Sequence, residues 1–265
     1  MLFYELIKPG TWINSEDKEF QEGVKTLLNN IIANFYDANI SLIEFKECYQ
    51  SIIESTKKGI SPMKEYMRKY DELKYDFIRE HPEYGLYENR DNLNMQITMM
   101  LNRTAWRSGK LPRDFPSAKM RIFARSFVYA IDGVEKALTR LSQPPLKTEG
   151  IETLLNQHQE AFRTNKDVRD SAHHQEDRAR FIGKHNKKFK AKSLPNGLSY
   201  GEGQVLTAGL LIGNSLTYTS HTGENLGVEI SDNTMNKLQY SVQSVLEFYE
   251  WIGPPVYYPE LHEWV

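Results

Sequence analysis

MRIFARSFVYAIDGVEKAL, Met120–Leu138, decides the fold class. Met120, Phe123, Ala124, Phe127, Val128, Ile131, Val134, Ala137 and Leu138 recur at three- and four-residue spacing and make a broad apolar stripe. A helix that apolar belongs at the centre of a helical protein. Working back from it, SGKLPRDFPS (108–117) holds two prolines and a glycine and is the best internal boundary. Before that boundary Leu93 to about Trp106 is helical, HPEYGLYENRDN (81–92) is a turn-rich break, and Ser61-Pro62 starts a helix that runs to about Arg79. The spacing of Phe20, Val24, Leu27, Leu28, Ile31, Ile32 and Phe35 predicts an amphipathic helix after Ser15. A further helix is expected from SLIE, where Ser41 can cap and Glu44 can return the bond.

Working forward, QPPLKTEG (143–150) ends the central helix, and Ile151 to about Arg180 is helical again, with TNKD (164–167) as an internal break. The character then changes. KHNKKFKAK (184–192) is a basic run and SLPNGLSYGEG (193–203) is rich in turn residues. VLTAGLLIG, SLTYTS and LGVEIS are short β-type runs that predict an antiparallel meander. A final helix follows, with Met235, Leu238, Val242, Val245 and Tyr249 on one face. The proline-broken aromatic tail 252–265 is expected to lie extended as a strap over a surface. The expected fold is therefore mainly α, a helical bundle with a small C-terminal β meander and a final helix. Its segments are 1–110 (N-terminal helices), 111–183 (helical core) and 184–265 (basic linker, meander, helix and tail).

Composition narrows the function. A chain of 265 residues with 40% hydrophobic and 26% charged residues can bury a substantial core. A net charge of −2 exerts no global pull on nucleic acid or membrane, so any anion-binding role needs a local basic patch. The lone Cys48 excludes an internal disulfide framework and fits a reducing, cytoplasmic setting. Glu5 interrupts what would be the apolar part of a leader, and the longest uncharged apolar run, Val205–Ile212, is too short to span a bilayer. No membrane role is expected.

The titratable groups concentrate in VRDSAHHQEDR, Val168–Arg178. On one continuous helix Asp170, His174 and Arg178 would form one row and Arg169, His173 and Asp177 the next. Each row sets a histidine between an acid and an arginine one turn away. A carboxylate can hold one imidazole nitrogen while the other acts as base or acid, and a guanidinium can stabilise charge on a phosphate. That equipment suits metal-free cleavage of RNA, in which the 2′-hydroxyl attacks the adjacent phosphorus. The plainer reading is a solvated helix face laced with i,i+4 ion pairs worth a few tenths of a kcal/mol each.

Arg169-Asp170-Ser171-Ala172-His173-His174 resembles the motif of the HEPN superfamily (higher eukaryote and prokaryote nucleotide-binding domains), an arginine and a polar residue followed by a histidine. RIFARSFVYAIDGVEKAL is similar to the long helix that precedes the motif in that family, so the resemblance covers about Phe115 to Arg180. It implies a bundle that pairs as a homodimer, and a metal-independent ribonuclease or RNA-binding protein of toxin or phage-defence type, with a protein antitoxin or regulator as a further partner. Arg169 would stabilise the phosphorane charge, His174 would be the general base or acid, and Asp170, in the slot usually filled by asparagine, would orient His174. That departure also motivates the alternative, a non-catalytic HEPN-like interaction module.

Other residues fall into place around that motif as substrate contacts. Arg121 and Arg125 share one side of the central helix with Asp132 and can face phosphate or pair across the bundle. His173 and Arg178 flank the motif. Lys187 and Lys188 lie in the basic run, where Phe189 could stack on a base. No metal or cofactor is expected, because adjacent histidines point about 100° apart on a helix. His158 reads as a lone histidine on a polar face.

Overall fold

The computed structural model describes residues 3–57, 61–112, 114–192 and 206–259. It is mainly α: α1 Lys18–Lys57, α2 Ser61–Glu80, α3 Arg90–Arg107, α4 Phe115–Leu141, α5 Ile151–Ala161, α6 Asn165–His173, α7 Gln175–Ala179 and α8 Asp232–Glu247. The predicted meander is present as an antiparallel sheet of β3 Ala208–Ile212, β4 Ser215–Thr219 and β5 Asn225–Glu229, in that order. The final helix α8 follows, capped by the Ser231 hydroxyl accepting from the Thr234 amide. Among the described residues no helix is long and apolar enough to cross a membrane.

The chain divides into two compact units, Met1–Lys46 with Arg121–Val265, and Glu47–Met120. These units cut across the segments expected at 110/111 and 183/184, because the divisions fall inside α1 and α4, where no turn residue marks them. In the first unit Phe35 and Ile31 of α1, Phe127, Ile131 and Leu138 of α4, Ile151 of α5, Leu216 of β4 and Leu238 and Val242 of α8 are all buried. The central position expected of α4 holds: Phe127, Ile131, Val134, Leu138 and Leu141 are essentially inaccessible. In the second unit α2 and α3 pack on each other, with the Tyr70 hydroxyl donating to Asn94 Oδ1 at 2.6 Å.

Three expectations change. The two helices expected before residue 57 are one helix. Ser41 does not cap but lies buried in mid-helix, because YDANI offers neither glycine nor proline and Ala38, Leu42 and Phe45 continue the apolar stripe. The cap of α1 is Asp17, whose carboxylate accepts from the amides of Glu19 (2.9 Å) and Phe20 (3.1 Å). Second, the segment from Ile151 to Arg180 is three helices, broken at 162–164, so that three of the four residues of the expected break TNKD open α6, and broken again at His174. Third, the tail pairs with the beginning of the chain. β1 Leu6–Lys8 is antiparallel to β7 Val256–Tyr258, and β2 Trp12–Ile13 to β6 Trp251–Ile252. This closes over Leu6 and Ile13, both buried. The part of the expected strap beyond residue 259, and the turn-rich 193–203, lie outside the described residues.

Candidate nucleic-acid interface

The site is assembled from α4, α6 and β4. Two anchors fix α6: the Asn165 amide donates to the Val128 carbonyl of α4 (3.1 Å, buried), and the Thr164 hydroxyl donates to the Gly227 carbonyl of β5 (2.9 Å). Val168 is buried beneath them. One side of α4 carries Arg121, Arg125, Tyr129, Asp132 and Lys136 at three- and four-residue spacing, so they form one row.

Arg169 joins that row from α6. Its Nη2 lies 2.8 Å from Asp132 Oδ1 and its Nη1 2.9 Å from Asp170 Oδ1, while Lys136 Nζ lies 2.7 Å from the other Asp132 oxygen. Asp132 is buried and the Arg169 side chain is only 18% exposed. The guanidinium is thus held between two carboxylates and ties α6 to α4.

The expected histidine row does not form. α6 ends at His173, and His174 takes φ −113°, ψ 41°, a non-helical conformation that rotates everything after it. Asp170 pairs with Arg169 and does not orient His174. His174 is 58% exposed, with Nδ1 3.9 Å from Asp177 Oδ2. Arg178 is buried, its Nη1 donating to the Ile182 carbonyl at 2.6 Å, so it turns away from solvent. His173, by contrast, stays with α4: its exposed ring lies 5.1 Å from that of Tyr129.

Two tyrosines missing from the sequence reading complete the site. Burial raises the pKa of Tyr129, opposed by nearby Arg125 and Arg169. Burial likewise raises that of Tyr218 on β4, again opposed by Arg125, and Gln175 donates to its hydroxyl at 3.3 Å. The charge of Arg125 is therefore felt by both phenols. Neither Arg121, which is exposed, nor Arg125, which is half-buried, has a carboxylate partner among the described residues. The sequence did carry a sign of Tyr129, its position four residues after Arg125 in the same row. Tyr218 had none, because strand β4 reaches α4 only in the fold. Tyr129 also lines a cleft of about 320 Å³ with Asn34, Asp37 and Ser41 of α1 and Phe123 and Ser126 of α4.

The remaining candidates stand apart. Lys187 and Lys188 are exposed, Lys188 bridging to Ile182, while Phe189 is half-buried against Phe181 with ring centres 6.0 Å apart, which removes it as a free stacking surface. His158 is fully buried beside Phe162, 4.6 Å between rings, so it faces the core and not the expected polar face. Burial pushes its pKa down to about 4, the Ile131 carbonyl opposing only in part. Among the described residues, His174, Glu176 and Asp177 bring three ligand atoms within 4.8 Å, but they are largely exposed and Arg180 already donates to Asp177 at 2.8 Å. The chain matches no family model, no curated protein and no solved structure.

Proposed function

We propose that this chain is a HEPN-like RNA-binding protein that contacts the phosphate backbone through Arg121 and Arg125, with Tyr129 and His173 beside them. The observation that carries the reading is the pair of arginines on one face of α4 that lack carboxylate partners among the described residues. Unpaired guanidiniums suit phosphate, and the neighbouring rings of Tyr129 and His173 offer a surface for a base. Arg169 is better explained as the tie between α4 and α6 than as a phosphate ligand, since Asp132 and Asp170 already pair with its two terminal nitrogens. This favours the non-catalytic form of the HEPN-like reading. A homodimer, a cytoplasmic setting and a protein antitoxin or regulator are its corollaries.

The second reading, metal-independent cleavage, rests on His173, whose exposed imidazole borders the same face. End-labelled single-stranded RNA incubated with the protein in EDTA separates the two. Binding is expected with the RNA intact at high protein concentration. Cleavage that persists in EDTA and vanishes in His173→Ala would establish the second reading, and cleavage lost only in His174→Ala would restore the role first expected of His174. Absence of RNA binding at low salt would overturn both.

A further inference from the structure

The second unit is short of core. Among its described residues the buried apolar side chains are Cys48, Leu93, Ile97 and Met120. Yet α3 alone exposes Met95 (54%), Met99 (37%), Met100 (37%) and Trp106 (50%). With about 100° per residue, Met95, Met99 and Trp106 fall within an arc of roughly 40°, and Arg103 and Arg107 lie about 40° and 80° beyond it. This side is turned away from Leu93 and Ile97, which are buried. Several exposed large apolar side chains on one side of a helix mark an interaction site, and methionine, unbranched and polarisable, adapts to another helix better than branched side chains do.

Charge selects the partner. After Asp91, α3 carries no acidic residue, and Arg103 and Arg107, both exposed, have no carboxylate partner among the described residues. Two cations four residues apart beside an apolar stripe match an amphipathic helix with glutamates or aspartates along one flank. A bilayer surface calls for a larger cluster of basic residues, and a nucleic-acid strand for more than one aromatic platform. We infer that the outer face of α3, with Met95, Met99 and Trp106 as its apolar stripe and Arg103 and Arg107 as its charged edge, docks an acidic amphipathic helix of a partner protein. This does not depend on the RNA reading, which concerns the other unit.

The probe is a fluorescein-labelled 18-residue amphipathic peptide with a leucine face and glutamate flanks, compared by anisotropy with its lysine-flanked counterpart on the full chain. The glutamate peptide is expected to bind at least tenfold more tightly. Arg103→Glu with Arg107→Glu should reverse that preference. Met99→Ser with Trp106→Ala should weaken binding at least tenfold with the chain still folded, as read by an intact cooperative melt, since Met99 and Trp106 are only part-buried. Equal affinity for the two peptides, no saturable binding, or variants that bind like the parent would overturn the inference. So would self-association abolished by Met99→Ser, which would give the face to a second copy, or binding to phosphatidylserine vesicles in preference to the peptide, which would give it to a membrane.

Discussion

Arg169 shows how far a side chain's meaning depends on what surrounds it. Read in line with its histidines it suggests a phosphate ligand, but in the fold Asp132 and Asp170 occupy it. Asp132 was visible in the sequence on the same side of α4 as Arg121 and Arg125, but nothing local linked it to residue 169. Removing one partner of a buried pair strands the other. Asp132→Asn should therefore lower the unfolding free energy by about 3 kcal/mol, read by urea denaturation, and Arg169→Met in the same background should add little further loss. A cost under about 0.5 kcal/mol, the range of ordinary surface changes, would mean that the pair does not tie the helices. His158 gives a pH signature. Its folded-state pKa of about 4 lies below the ordinary 6.5, so between those values the unfolded chain binds the proton that the folded chain excludes. This contribution to stability is complete above pH 6.5 and is lost progressively as pH falls toward 4, by roughly 3 kcal/mol. Denaturation midpoints measured across that window should show a fall that His158→Phe flattens; an equal fall in both proteins would assign it to other groups.

At the scale of elements, periodicity was the dependable signal. The central stripe of α4 and the seven-residue spacing of α8 were legible because each buries one regular face, and β3 to β5 because turn signals bound their short β-type runs. The joint at His174 was not, since it contains neither glycine nor proline and a helix would have suited the local residues equally well. Ser41 misled for the opposite reason: its capping pattern is real, but a cap acts only where the backbone leaves the helix, and the stripe from Phe35 to Phe45 keeps it in. Ser41→Ala is therefore expected to change stability by no more than about 0.5 kcal/mol in thermal melts, whereas loss of a true cap would cost about 1 kcal/mol. A second element-level test is Gly223, in the loop joining β4 to β5. It has φ +86°, and a Cβ there would collide with the Lys190 carbonyl, in a segment held by the Lys192 amide donating to the Gly223 carbonyl at 2.7 Å. Gly223→Ala should cost about 2 kcal/mol or more and loosen the basic segment, seen as faster amide exchange at Lys192. Unchanged exchange would separate that segment from the hairpin.

For the molecule as a whole, contacts between distant parts of the chain were the least legible. The pairing of residues 6–13 with 251–258 leaves no local trace, since two- and three-residue strands have no periodicity of their own. The candidate site likewise joins α4, α6 and β4. Its α4 row was readable at Arg121 and Arg125, whereas Tyr218 and the placement of His173, not His174, beside Tyr129 needed the fold. The proposed function implies a division of labour among arginines, with Arg121 and Arg125 meeting phosphate and Arg169 holding the helices. The most direct test measures RNA affinity against salt for the parent, Arg121→Ala with Arg125→Ala, and Arg169→Met, with unfolding curves for all three. The double variant is expected to lose at least tenfold in affinity, with its log–log salt slope shrinking by about 1.4, two single-strand contacts, at unchanged stability, while Arg169→Met keeps the parental slope in its folded fraction and loses stability. A parental slope in the double variant, with the slope reduced in Arg169→Met, would contradict it.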